Sequence, residues 1–395
     1  MERLYQISES LLKGISSDFK RYLYNEIDYD SQLIAITGAR GCGKTTLLLQ
    51  HLKSKAKKQH ALYVSLDDIY FSENKLIYFA EEYHQKGGEL LILDEVHKYP
   101  NWSQEIKNIY DTLPELRVIF TGSSALEIHK GSHDLSRRAL VYNLSGLSFR
   151  EFIQLKYKIK LPVVELEEIL LADNQINHHI TNTIKPLKIF NEYLETGYYP
   201  FFTNTKQNYL RQLMNTINQV VENDLPSIYN IEFGSTIKMK KLLSVLSHIV
   251  PYKPNIEDLS RQIGTTRDTL LRYLYFLEKA QIIKWLGKDT HGINYLNKPE
   301  KLYLQNTNIA KALSEQPNIG NQRETFFLNQ VSQKHHISYS EKGDFLIDGK
   351  YVFEIGGKHK TKKQIRNMKN AFIASDDIEY SYENKIPLWL LGFLY

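Results

Sequence analysis

The residues best suited to chemistry lie between Gly38 and Thr45, where GARGCGKT fills the pattern G-x-x-x-x-G-K-[ST] at every required position. Backbone N–H groups in such a loop must turn inward toward phosphate oxygens. Gly38, Gly41 and Gly43 permit conformations and approach distances that a β-carbon obstructs. Ala39, Arg40 and Cys42 complete the loop and Thr46 follows it; Cys42 reads as a loop residue and not as a nucleophile. Lys44 is expected to reach the β- and γ-phosphates and the Thr45 hydroxyl to ligate Mg2+, with the following helix adding its positive dipole end. A triphosphate site of this kind also needs carboxylates, because Mg2+ takes oxygen ligands and the attacking water needs a base. The segment Glu89 to Glu95, ELLILDE, supplies two acids after an apolar run: Asp94 for the metal and Glu95 for the water. The chemistry implied is hydrolysis of a nucleoside triphosphate, with ATP and Mg2+ as cofactors.

Two further groups bear on the same reaction. Ser123 follows the apolar run Leu116–Phe120 in the stretch Thr121-Gly122-Ser123-Ser124. The polar side chains of this tip, Thr121, Ser123 and Ser124, would sit between the two motifs and could hydrogen-bond the γ-phosphate or water, or simply cap a helix, a place Ser and Thr favour anyway. Arg137 and Arg138, in DLSRRA, could neutralise transition-state charge in a neighbouring subunit or lie solvated at the surface.

These residues require particular elements beneath them. From Gln32 the chain reads QLIAIT, then the glycine-rich loop, then apolar residues at helical spacing from Lys44, which is strand, loop, helix. ALYVSLDD from Ala61 places another strand between the phosphate loop and the two acids, the arrangement of an additional-strand ATPase and not of a simple kinase. ALVYNL from Ala139 makes a fifth strand. The expected fold class is therefore α/β, a five-stranded P-loop sheet.

The stretches GARGCGKTTLL, LLILDEVHKYPNW, VIFTGSSALEI, SRRALVYNLSGLSFREF, EYLETGYYP and KPEKLYLQNTN together resemble the prokaryotic AAA-type ATPases with a winged-helix segment and a degenerate nuclease-like carboxyl-terminal domain. The resemblance covers most of the chain. It implies a parallel sheet in the AAA order, Ser123 or Ser124 at the sensor position, and Arg137 or Arg138 as the family's arginine. It implies nothing definite about the load.

Beyond the sheet, helical spacing from about Leu166 to Val250 reads as a lid and connector, interrupted by ETGYYPFF from Glu195. A short helix Ile256–Ile263, a turn at Gly264-Thr265, and a second helix capped by Thr266 precede the strand-like IIKWLG and KLYL, which suggests a winged helix. Arg267, Thr269 and Arg272 would then be able to face DNA, although such modules also pack against protein. Further on, Glu324, Asp344 and Glu354 stand where restriction-type nucleases gather acids around Mg2+. Gly356 replaces the lysine of that pattern and the nearest lysine in sequence is Lys358, so the simpler reading is that the fold is kept and cleavage lost. The run KHKTKKQIR, Lys358 to Arg366, could lie along a phosphate backbone or form a solvated face.

At 395 residues the chain is long enough for several cores. The expected divisions are 1–160 for the P-loop domain, 161–240 for the lid, 241–312 for the winged helix and 313–395 for the nuclease-like domain. Hydrophobic residues at 42% and charged residues at 24% exclude a disordered or fibrous chain. A net charge of +5 permits contact with nucleic acid without requiring it. A single cysteine, Cys42, excludes an internal disulfide and fits a reducing, cytoplasmic compartment. No segment is apolar enough to span a membrane, and the closing LWLLGFLY from Leu388 reads as a buried strand. The leading expectation is ATP hydrolysis that rearranges the winged-helix and carboxyl-terminal segments against DNA, a protein partner or further copies of the chain. The alternatives are a nucleotide-gated switch or scaffold with little turnover, or a Mg2+-dependent nuclease.

Overall fold

The computed structural model describes all residues except 55–59, 123–134, 172–173, 252, 289–298, 315–317 and 367. The chain divides into two compact units, Met1–Gly146 with Asn223–Ile231, and Leu147–Glu222 with Glu232–Tyr395.

In the first unit five short strands, β1 (Leu33–Thr37), β2 (Ala61–Ser65), β3 (Leu90–Asp94), β4 (Arg117–Thr121) and β5 (Leu140–Asn143), form one sheet in the order β2-β3-β4-β1-β5. Every pairing is parallel. The strands are apolar along their length because both faces are covered, as a parallel sheet requires. Alternate residues separate into two cores. Leu33, Ala35, Leu91, Leu93, Val118 and Phe120 face one side, while Ile34, Ile36, Leu90, Ile92 and Ile119 face the other with Leu47, Leu48 and Leu52 of the helix Lys44–Ser54. The outermost strand β5 is largely exposed instead. The registers Ser65↔Asp94, Ile36↔Thr121 and Thr37↔Asn143 bring the carboxyl ends of all five strands level. In open α/β sheets that edge is where ligands bind.

The second unit is helical over most of Leu147–Glu222 and into the helix Phe233–Ile249. Helices Ile256–Ile263 and Arg267–Lys279 follow, joined by Gly264 in the left-handed region; Thr266 caps the second by accepting a hydrogen bond from the Thr269 N–H. An antiparallel pair, β6 (Ile283–Leu286) and β7 (Lys301–Leu304), comes next. The last part is a mixed sheet of β8 (Ile337–Tyr339), β9 (Phe345–Ile347), β10 (Tyr351–Gly356), β11 (Ala371–Ser375) and β12 (Lys385–Pro387), in chain order across the sheet. Its first two pairings are antiparallel and the other two parallel. The helix Ile319–Val331 covers it, with Phe327 against Phe345 and Phe353.

One expected strand is not a strand. Leu388–Phe393 is a buried 3₁₀ helix in which the Trp389 indole N–H donates to the Ile378 carbonyl. An unbroken apolar run carries no period of two, so burial alone cannot distinguish strand from helix.

Candidate functional site

The loop after β1 is shaped by its glycines. Gly38, Gly41 and Gly43 have φ values of 151°, 85° and 99°. A β-carbon on Gly38 would collide with the Leu144 carbonyl, so the first loop position has no room for any other residue. Lys44 opens the following helix, is buried, and donates to the carbonyl oxygens of Gly38 at 2.8 Å and Ala39 at 3.1 Å. Its ammonium therefore lies inside the curl of the loop. Cys42 is fully buried among Ile34, Ile36 and Leu47, which makes it a core residue without thiol chemistry. Thr46 is exposed in the first helical turn.

The sheet brings the two motifs together. Asp94 closes β3, and its Oδ2 accepts hydrogen bonds from the Thr45 hydroxyl at 2.6 Å and the Tyr63 hydroxyl at 2.7 Å. Burial, followed by the nearby Asp94 charge, raises the Tyr63 pKa, so this phenol stays a donor. The Thr121 hydroxyl at the tip of the intervening strand β4 donates to Asp94 Oδ1. Thr121 belongs to the polar strand tip expected between the two motifs, whereas Tyr63 carries no sequence signal and becomes visible once strand order places β2 beside β3. Ser123 lies outside the described residues.

Glu95 follows in an unusual backbone state, with φ 55° and ψ 41°. Left-handed conformation in a residue other than glycine costs of order 1 kcal/mol and collects at functional sites. Its N–H donates to Asp94 Oδ1 and to the Thr121 hydroxyl, both at 3.1 Å, and this holds the turn. Burial pushes the Glu95 carboxyl above its ordinary pKa, with the Arg40 cation opposing and Asp94 adding to the rise. Around the carboxylate stand Arg40 Nη1 at 3.9 Å and His97 Nε2 at 3.7 Å. The His97 ring is buried and neither nitrogen has a hydrogen-bond partner among the described residues. Desolvation holds its pKa down to about 4, so it is neutral at pH 7.

Two residues that no motif announces frame the loop. Arg21 is buried and donates to the carbonyls of Cys42 at 2.6 Å, Ser145 at 2.8 Å and Gly146 at 2.8 Å, tying the phosphate loop to the segment after β5. Asp224 accepts from Arg40 at 3.1 Å and from Lys98 at 2.8 Å. It lies far from both in sequence, and a lone acid in a helical stretch gives no signal.

Arg137 and Arg138 stand just before β5, at the amino ends of the strands, whereas the phosphate loop follows the carboxyl end of β1. The fold thus keeps them away from the loop of their own chain. Arg137 is exposed, while Arg138 pairs with Asp111 at 2.9 Å and lies over the Tyr110 ring.

The three acids on and around the last sheet, Glu324 on its covering helix, Asp344 just before β9 and Glu354 in β10, are already engaged by the protein. Glu324 takes the Lys301 ammonium at 2.6 Å and the Tyr303 hydroxyl at 2.8 Å, and Asp344 accepts the Ile355 N–H at 2.7 Å. Glu354 is buried, which raises its pKa, and it pairs with Lys360 at 2.5 Å. The lysine that reaches this carboxylate is Lys360 and not Lys358: its stem crosses the space that a side chain on Gly356 would fill. No group of three His, Cys, Asp or Glu side chains among the described residues is arranged to hold a metal. The basic run is also only partly solvated, since Lys360 turns inward, Lys362 pairs with Glu383 at 3.0 Å and Ile365 is buried. On the helix Arg267–Lys279, Arg267 and Arg272 are exposed, but Thr269 is half-buried and bonded to Thr266.

Strand order and phosphate loop define the class: this is a P-loop protein whose first unit is a domain of the AAA type. Residues 30–153 match the family model described as AAA domain, and residues 187–320 match that described as Domain of unknown function (DUF8612). The chain is 26% identical, over an alignment of 400 residues, to the uncharacterized protein MJ1637 of Methanocaldococcus jannaschii, covering 93% of this chain and 83% of that one. Among solved structures, AMPPCP-bound DnaA from Aquifex aeolicus is 18% identical over 70% of this chain and 88% of its own, with a TM-score of 0.26. A Thermotoga maritima RuvB variant is 13% identical over 72% and 89%, with a TM-score of 0.27. C. elegans PCH-2 is 16% identical over 69% and 68%, with a TM-score of 0.26. No helix among the described residues is long and apolar enough to cross a membrane.

Proposed function

We propose that this chain binds ATP with Mg2+ and hydrolyses it, and that turnover rearranges its winged-helix and carboxyl-terminal segments against DNA or a protein partner. The observation that carries the first half is the 2.6 Å hydrogen bond between Thr45 and Asp94, which sets the last residue of the phosphate loop beside the acid of β3. A hydroxyl and a carboxylate together suit Mg2+, which keeps several waters and takes its remaining ligands from phosphates. Thr45 and Asp94 would hold the ion, and the ion would neutralise charge on the phosphate oxygens. The loop amides and Lys44 bind the triphosphate. Glu95, kept basic by burial, takes a proton from the attacking water. Arg137, exposed at the far edge of the sheet, is suited to a neighbouring copy's phosphates and not to its own.

Phosphate release by the parent chain and by Glu95→Gln tests the reading. The variant should bind ATP and turn over about 100-fold slower or worse. Equal rates would remove Glu95 from this role, and negligible turnover by a parent that binds ATP would make the chain a nucleotide-gated switch. Exposed Arg267 and Arg272 favour DNA as the load. Duplex DNA should then stimulate hydrolysis, with the stimulation fading steeply as salt rises; no stimulation at low salt would point to a protein partner.

A further inference from the structure

Among the described residues Arg40 has two carboxylates within reach. Its Nη1 is 3.1 Å from Asp224 Oδ2 and 3.9 Å from Glu95 Oε2, so it forms a charge-assisted bond with the first and none with the second. Asp224 is itself buried and receives a second cation, Lys98, at 2.8 Å. A buried carboxylate held by a guanidinium and an ammonium is a fixed anchor, because moving it off them would leave its own buried charge unpaired. Its segment, Asn223–Ile231, belongs to the nucleotide-site unit although the chain on either side belongs to the other unit.

We propose that Asp224 is a positioning residue for hydrolysis: it holds the Arg40 guanidinium off Glu95, leaving that carboxylate free to take a proton from water. This rests on the reading of Glu95 as the base. Without Asp224, Arg40 has one anionic partner left within reach among the described residues, Glu95, and closure of the 3.9 Å gap would tie up the oxygen that faces it. A carboxylate oxygen bonded to a guanidinium is an acceptor already used.

The effect must therefore run through Arg40, and a double-variant cycle on the full-length chain reads this directly. Asp224→Ala should lower kcat about tenfold while KM for ATP moves less than about threefold, and Asp224→Glu should recover most of the loss. In an Arg40→Ala background, the further change Asp224→Ala should alter kcat by less than about twofold. A purely structural role for Asp224 would act equally in both backgrounds. Asp224→Asn, which keeps the shape and removes the charge, takes the place of alanine if that variant fails to fold as judged by circular dichroism. The proposal is overturned if Asp224→Ala turns over like the parent, or if its loss is as large without Arg40 as with it. A parent chain that releases no phosphate overturns the ATPase reading together with this one; a hydrolysing parent with an indifferent Asp224 overturns this one alone.

Discussion

His97 is a buried imidazole with no hydrogen bond among the described residues, set beside a carboxylate, and its charge state is decided by desolvation. The unfolded chain takes up the proton near pH 6.5 and the folded chain only near 4, so between those values the unfolded state binds more protons. Stability from this residue is fully present above about pH 6.5 and is lost as pH falls toward 4, by up to about 3 kcal/mol. His97→Gln should accordingly lose less melting temperature than the parent between pH 7 and pH 5. Parallel losses in the two proteins would show that His97 is not the titrating group. Glu95 makes a related point about single residues: its left-handed backbone and the desolvation of its carboxylate both cost stability.

At the scale of elements, the polar stretches that carried the family resemblance turn out to hold helices together. Asn308, from KPEKLYLQNTN, is fully buried. Its side-chain carbonyl accepts from the Tyr198 N–H at 2.8 Å and the Tyr209 hydroxyl at 2.5 Å. Its amide donates to the carbonyls of Leu194 at 2.9 Å and Tyr193 at 3.1 Å. One side chain thereby caps the end of the helix Pro186–Thr196 and fixes the GYYP turn. Asn308→Ala removes four hydrogen bonds made in the interior, and a loss of about 2–4 kcal/mol is expected in urea denaturation of the full chain. A change under about 0.5 kcal/mol would mean that water replaces the amide. The same scale explains how the nucleotide site closes: placing β4 between β1 and β3 puts the Thr121 hydroxyl against Asp94, and the level strand ends do the rest.

For the whole molecule, the two units are interleaved along the chain, since Asn223–Ile231 returns to the first unit after a long excursion in the second. A fragment ending at residue 160 keeps every residue of the phosphate loop and both acids but lacks Asp224, leaving Arg40 and Lys98 without that anion. Such a fragment should melt below the nucleotide-site unit of the full chain, and restoring residues 223–231 through a linker should recover part of the difference. Identical melting with and without that segment would show that it adds nothing.

The sequence by itself determined the phosphate loop and the sheet that carries it. A phosphate loop is a local object, fixed by glycines at set spacing, and buried strands announce themselves as apolar runs, so Gly38 to Thr45, Asp94, Glu95 and all five strands were legible. The tertiary structure alone decided which groups surround them. Tyr63, Arg21 and Asp224 reach the site across gaps in sequence that no periodicity records. Lys360 takes up a place for which spacing had offered Lys358, because a flexible four-carbon stem can cover a glycine from further along the chain. The closing apolar run became a 3₁₀ helix for a similar reason: hydrophobicity specifies that a segment is buried, while the space available to it specifies the shape.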